Sequence, residues 1–319
     1  MSVRRLLVTG VSGFVGSWIA RSAVRSGLEV HGLVRSESVP ERVADLAGKV
    51  AWHRADLRES GRVEEVVRRL RPTWVMHAAF PAMHGADATA RREMVEAGIL
   101  GTANLLEAIR ATDSVSHVVQ VGSAMAYGPS DQAHQPTDPL WPVTFRGTCK
   151  AGTSLLCRQL ALATGLKYTE ARLFTAYGPW ERRELLLPRL LQAGLTGGTV
   201  RLTPQPQARN WVHVEDVADA CLAAFAMADG GPQVFNVCGE EVISNHEAAR
   251  LLEGITGRRL VEDHGYGETD RYEDPNPRGV MSGGADGVSW RPRHRFADGL
   301  RAYWAWAQTA DGRRHLGLG

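Results

Sequence analysis

Arg4-Arg5-Leu6-Leu7-Val8-Thr9-Gly10-Val11-Ser12-Gly13-Phe14-Val15-Gly16-Ser17-Trp18 opens the chain almost at its first residue. Leu6 to Val8 is an apolar run that reads as a buried strand, and it stops at Gly10. After Gly16 the pattern turns helical, with Phe14, Trp18, Ile19 and Ala20 among small and basic residues. Strand, glycine turn and helix in that order are the opening of a dinucleotide-binding unit. Glycine at 10 and 13 lets the backbone approach a pyrophosphate with no Cβ in the way, and Gly16 lets the helix lie close on the sheet. The N–H groups of the first turn, from Ser12 and Gly13 through Phe14 and Val15, then face the phosphates. Glycines alone say little, because the chain holds 34 of them. Their place between a first strand and a first helix carries the reading.

Outward from this stretch, strand and helix alternate. A helix to about Ser26 stops at Gly27, and a second strand covers Leu28 to Val34. The end of that strand carries an acid when a ribose with free hydroxyls is bound. Here it reads Val34-Arg35-Ser36. Arg35 with Ser36 suits a 2′-phosphate, which favours NADP over NAD. A third strand near Val50 to His53 leads to Asp56-Leu57, where an acid can cap the next helix or sit beside an adenine amine. A helix from Glu59 to Leu70 precedes a strand at Trp74 to Met76, then His77-Ala78-Ala79, whose small residues leave room for a cofactor. His77 reads as a packed strand-end residue.

Apolar positions from Arg91 to Ala111 predict one long helix. Further strands are expected at His117 to Val121 and Tyr168 to Leu173, with a helix opened by Arg146-Gly147-Thr148-Cys149-Lys150 between them. This alternation means a parallel sheet with helices on both faces. Beyond Pro179, Leu185 to Leu195 reads as a helix. The segment Arg209 to Ala218 reads as a strand running into a helix capped by Asp216, Val234 to Val237 as another strand, and Phe296 to Gln308 as the last helix. Glu262 to Gly287 is polar and poorly periodic, and reads as a surface loop that closes over something or as a disordered stretch.

The 319 residues suffice for one large α/β unit or two lobes, and 44% hydrophobic with 23% charged is an ordinary globular composition. A net charge of +2 gives no field that points to nucleic acid or an anionic membrane. No apolar run approaches the ~20 residues needed to span a bilayer. The strand begins too early for a signal peptide. Cys149, Cys157, Cys221 and Cys238 lack C-x-x-C spacing and read as reduced thiols of a cytoplasmic protein, with no metal.

These motifs together resemble the extended short-chain dehydrogenase/reductase family, in its NAD(P)-dependent epimerase/dehydratase group. The likeness rests on Thr9-Gly10-x-x-Gly13-x-x-Gly16, Asp56-Leu57, His77-Ala78-Ala79, Gly101 to Ala108, Gly122-Ser123 with Tyr127-Gly128, Lys150, Arg172-Leu173-Phe174 with Tyr177-Gly178-Pro179, and Arg209 to Val217. It covers nearly the whole chain. The resemblance implies an α/β fold: a Rossmann-type doubly wound parallel sheet with a smaller C-terminal substrate lobe. Residues 1–178, joined by about 208–240, would form the dinucleotide domain, and 179–207 with 241–319 the substrate lobe. It implies an enzyme using NADP, with NAD possible, on a small-molecule substrate such as a nucleotide sugar. It also implies a homodimer through the helices that begin near Arg91 and Thr148. Arg209, Arg271 and Thr175 would face the substrate, with the planar guanidinium forks matching a diphosphate.

The chain departs from the family at one decisive place. The family's acid/base tyrosine stands four residues before the lysine, and here that position is Arg146. Arginine holds its protons in proteins, so it cannot replace the phenol in that role. One turn above Lys150, it can stabilise charge on an oxygen or anchor a substrate anion. Gly98 and Thr175 stand where the family often has asparagines, and Ala124-Met125 replaces the Asp-Glu pair of 4,6-dehydratases. Ser123 would bond the reacting oxygen and Lys150 the nicotinamide ribose. Tyr127 is the first candidate for moving a proton, with a packing role as the alternative, followed by His84, Cys149 and Tyr177. Two other readings stay open: the same fold turned to redox-neutral cyclisation, isomerisation or elimination on a small natural product, or a non-catalytic NAD(P)-binding protein.

Overall fold

Strands buried on both faces carry near-continuous apolar side chains, and only a parallel sheet covered by helices on each side buries them so. The computed structural model describes residues 4–36, 40–81, 87–226, 233–262, 278–281 and 290–318. The strands are β1 (Arg5–Thr9), β2 (Glu29–Val34), β3 (Val50–Arg54), β4 (Trp74–His77), β5 (His117–Ser123), β6 (Lys167–Leu173), β7 (Thr175–Tyr177), β8 (Ala208–His213), β9 (Gln233–Val237) and β10 (Val242–Ser244). Seven of them form one parallel sheet in the order β3-β2-β1-β4-β5-β6-β9. The order reverses between β1 and β4, which opens a crevice at the carboxyl ends of the strands. The expected doubly wound fold is present.

Alternation along β1 sorts the two cores. Leu6 and Val8 face one side with Trp18 and Ile19 of α1 (Phe14–Arg25), while Leu7 faces the other. On that second side lie α2 (Ser60–Leu70), α3 (Ala88–Glu93), α4 (Gly101–Arg110) and α5 (Phe145–Thr164), of which α2, α4 and α5 supply Val66, Leu105 and Leu160 to the core. A third core joins α6 (Leu186–Thr196), α8 (Asn245–Thr256) and α9 (Phe296–Ala307) beneath a small sheet of order β10-β8-β7, while α7 (Val214–Ala223) packs with α1 on the first side.

Some elements differ from the sequence reading. The helix expected from Arg91 to Ala111 is not uniform: Met94–Leu100 is wound as a π-helix between α3 and α4. The small strands β7 and β10, and a closing helix α10 (Ala310–His315), carry too few residues to show a period. Asp216 does not cap the helix it begins. His213 takes the cap position, and the buried Asp216 carboxylate accepts instead from the backbone N–H groups of Arg293 (3.1 Å) and His294 (3.0 Å). It thereby ties the segment leading into α9 to the start of α7. Of the polar stretch Glu262 to Gly287, all but Glu262 and 278–281 lies outside the described residues.

Candidate active site

The crevice at the strand reversal is a cleft of about 650 Å³, bordered by the loop after β1, the ends of β2 and β4, and the π-helical turn. Gly10 has φ +69°, and a Cβ there would stand 2.6 Å from the Ala79 nitrogen. A Cβ on Gly16 would stand 2.1 Å from the Gly10 carbonyl oxygen. Both positions therefore require glycine, and the loop closes with Gly13 N–H donating to the Gly10 carbonyl at 2.9 Å. Gly13 caps α1 with no side chain, so the first-turn N–H groups at Phe14 and Val15 have no side-chain partner at the loop. Gly10, Ser12, Gly13, Ala78 and Ala79 line the cleft together, as the sequence suggests.

At its far end the cleft is ringed by charge. Arg35 is exposed and reaches Glu93 at 3.4 Å, while Arg58 reaches Glu93 at 3.3 Å and Asp56 at 2.6 Å. Asp56 does not cap α2. Its carboxyl accepts from the Arg58 backbone and guanidinium, and the Arg58 hydrogen bond holds it below the usual carboxylate range. Leu57 beside it uses its carbonyl to accept from Asn104.

Helix α5 supplies the other half. Thr144 caps it by accepting from Gly147 N–H, which fixes the first turn and places Arg146 and Lys150 one above the other. Both cations lie against one ring: the Arg146 guanidinium is 5.0 Å and the Lys150 ammonium 4.2 Å from the Phe80 centroid. Arg146 also donates to the Pro81 carbonyl at 2.9 Å, and Lys150 to that of Val121 at 3.4 Å. Burial first, and the charge of Arg146 second, push Lys150 down to about 7, against a smaller opposing pull from Glu170. Ser123 ends β5 and caps the turn Ala124–Ala126, its oxygen accepting from Met125 N–H at 3.2 Å. That bond leaves its own proton free to donate.

The remaining candidates are placed elsewhere. Tyr127 is buried: its ring stacks on His134, Arg172 lies over it at 4.6 Å, and its hydroxyl donates to Asn236 at 2.7 Å. Burial pushes it up to about 12. Ring and hydroxyl are both engaged in packing, the alternative to a proton-moving role for Tyr127. Tyr177 donates to the Phe296 carbonyl and Cys149 is buried, with both acidities weakened by burial. His77 is held between Thr9 and Thr102, and burial pushes it down to about 3, so it stays neutral. Thr175 and Arg209 sit on the paired strands β7 and β8, half-buried, with Arg209 donating to Gln207 at 3.2 Å. His84 and Arg271 lie outside the described residues.

With this geometry in hand, the chain can be set beside known proteins. Residues 6–238 match the model of the NAD dependent epimerase/dehydratase family. The chain belongs to that family. It is 26% identical to a dTDP-glucose 4,6-dehydratase of Neisseria meningitidis over 95% of this chain and 93% of the other. It is 25% identical to a UDP-glucose 4-epimerase of Lactobacillus helveticus over 96% and 97%. Among solved structures it is similar to a UDP-glucose 4-epimerase from Thermotoga maritima with UDP-glucose (TM-score 0.86, 22% identity, 95% and 98% covered). The family consists of enzymes, and this member's glycine loop agrees with it.

Two features of this NAD-dependent epimerase/dehydratase family member escaped the sequence reading. Phe80 was not singled out, because one aromatic in a loop carries no signal. It fits where it does because Gly98 on the π-helical turn leaves the space: a Cβ there would stand 2.9 Å from the ring. Glu170 was readable, since a carboxylate interrupts the apolar strand Tyr168 to Leu173. It is buried under α5, accepting from Ser154 at 2.5 Å and from Arg172 at 3.0 Å, in space that Gly122 provides.

Proposed function

We propose that the protein acts on a nucleotide-linked sugar with a bound NAD(P), preferring NADP, and that a pair of cations replaces the family's phenol. The observation that carries this reading is the placement of Arg146 and Lys150 one helical turn apart, both against Phe80. The residues fit a dinucleotide, because the glycine loop leaves no Cβ between backbone and cleft, and an uncapped helix start follows it. The loop would hold the pyrophosphate, Arg35 and Ser36 the adenosine end, and Lys150 the nicotinamide end. When bound, the nicotinamide supplies reversible oxidation of a sugar carbon.

The chain's own residues do the rest. Ser123 donates to the reacting oxygen. Lys150, brought to about 7, takes the hydroxyl proton as the oxygen becomes a carbonyl and returns it later. Arg146 keeps its charge throughout and stabilises negative charge on that oxygen. The nucleotide's diphosphate would lie toward Arg209, in the lobe formed by 179–207 and 241–319. The relatives named above act on dTDP-glucose and UDP-glucose, which supports the nucleotide-sugar class.

Exposed Leu100 on the π-helical turn and exposed Leu155 and Leu162, seven residues apart on one face of α5, favour the expected homodimer. Leu155→Glu should then yield monomer in sedimentation analysis.

Mixing the purified protein and NADP with UDP-glucose or dTDP-glucose tests the reading. Transient reduced-nicotinamide absorbance is expected in the wild type and is lost in Lys150→Met. Product formed with no change in nicotinamide absorbance and with no primary isotope effect from deuterium on the sugar carbon would replace it with redox-neutral chemistry, which the loss of the phenol also allows.

A further inference from the structure

His213 presents a problem of satisfaction. It ends β8 with 3% of its surface exposed, and neither ring nitrogen has a hydrogen-bond partner among the described residues. A buried imidazole normally pairs at least one nitrogen, and an orphan of this kind calls for an explanation. The ring is packed edge-on against Tyr177 and lies 4.3 Å from the ring of His294. Donor atoms of His213, Glu215 and His294 all fall within 4.8 Å of one another. His294 donates through Nδ1–H to the buried Asp216 carboxylate at 3.0 Å, which leaves its Nε2 for another partner.

We propose that His213, Glu215 and His294 form a binding site for a borderline divalent cation of the Zn(II) type. Two imidazoles and one carboxylate are a donor set that such ions take, with a fourth position for water. The Asp216–His294 bond is the outer-shell carboxylate contact that orients a ligating histidine. Tetrahedral ligation at about 2.0–2.1 Å puts donors about 3.3 Å apart. The half-buried Glu215 and His294 side chains therefore close in by roughly 1.5 Å, while the buried His213 stays. Arg293 is the cation nearby; it is engaged by Asp219 and by Asp216 at 3.7 Å, which offsets its charge.

The site joins the end of β8 and the start of α7 to the segment that enters α9. The ion would act as a clip between sheet and C-terminal helices, and the site lies apart from the glycine-loop cleft and does not depend on the reaction proposed above.

The test is calorimetric titration of the full-length protein with Zn(II) alone, with Co(II) absorption as a second probe of geometry. One ion per chain is expected, with the thermal midpoint raised by saturating Zn(II). His294→Ala should weaken Zn(II) binding at least 10-fold and abolish the thermal shift, while its circular dichroism and dinucleotide affinity stay those of the wild type. If His294→Ala fails to fold, Glu215→Gln must show the same loss. No binding to the wild type, or equal affinity in the wild type and the folded variants, overturns the site and leaves His213 as a packed ring without a partner among the described residues.

Discussion

The two halves of the cleft are built on different terms. The glycine loop is made of backbone, and its residues are dictated by space: at Gly10 and Gly16 a single methyl group would collide with the main chain. The face of α5 is made of side chains, and its residues are dictated by charge: Arg146 and Lys150 share one aromatic ring, with Glu170 and Arg172 paired beneath the helix. Backbone constraints cannot be traded for others, so the first half keeps the family's pattern. Side-chain charge can be rearranged while the helix stays in place, and there Arg146 stands one turn from Lys150. The cofactor's seat is thus held by geometry and its chemistry by electrostatics, so the second can change without the first.

The buried pair under α5 gives the largest expected effect. Glu170→Ala leaves the Arg172 guanidinium buried without its carboxylate, and breaking such pairs costs about 3–5 kcal/mol. Urea unfolding should show a loss of that size, with Ser154 also losing its acceptor. A loss under about 1 kcal/mol, the range of solvated pairs, would mean that water reaches the pair and that charge does not organise this half.

Arg146→Ala comes next. Removing a preorganised donor at a developing oxyanion costs about 2.7–4 kcal/mol in turnover. A pH profile separates this from mere structural damage. If Lys150 acts as a base, kcat/KM rises as pH passes about 7 and the ammonium gives up its proton. Arg146 is one of the causes that hold Lys150 low, so its removal lets the lysine keep its proton to higher pH. The rise should therefore move to higher pH in Arg146→Ala. An unmoved profile would detach the two cations from each other.

Gly16→Ala tests the other half. Overpacking costs about 1–3 kcal/mol, and here it also displaces the Gly10 carbonyl from the loop. Dinucleotide affinity should fall at least about tenfold, or 1.4 kcal/mol, by calorimetry. Retention of full affinity would show that the loop does not define the cofactor's seat.

The same division explains what could be read before the fold was known. The glycine loop and the alternation of strands and helices follow from local rules of backbone and period, and both were legible; the doubly wound order came only with the resemblance. Ser123, Arg146 and Lys150 were legible as positions in a pattern. Their partners were not: Phe80 comes from 66 positions before Arg146, and its seat depends on a π-helical turn that shares the helix's apolar spacing. The place of Tyr127 was not legible, because a Tyr-Gly pair after a strand looks the same whether its hydroxyl faces the cleft or Asn236. Asp216 was misread for a similar reason, since an acid in a first turn reads as a cap until the segment that arrives from residue 293 is seen.

The smallest effect lies at the adenosine end, the far end of the cleft. Arg35 is exposed, and its pair with Glu93 at 3.4 Å is of the kind that contributes little. The guanidinium can therefore turn from Glu93 to a 2′-phosphate at small cost. Asp56, an acid that lines this end of the cleft, is already occupied by three donors of Arg58. Arg35→Ala should lower NADP(H) affinity about tenfold, or 1.4 kcal/mol, and leave NAD(H) nearly unchanged. The ratio of the two dissociation constants at fixed salt is the quantity to follow, because raising salt screens an exposed contact of this kind. If the wild type already binds NAD(H) more tightly, then Arg58 releases Asp56 when the ribose arrives. Specificity at this end is then set by the Arg58–Asp56–Glu93 cluster, and Arg35 is a solvated charge beside it.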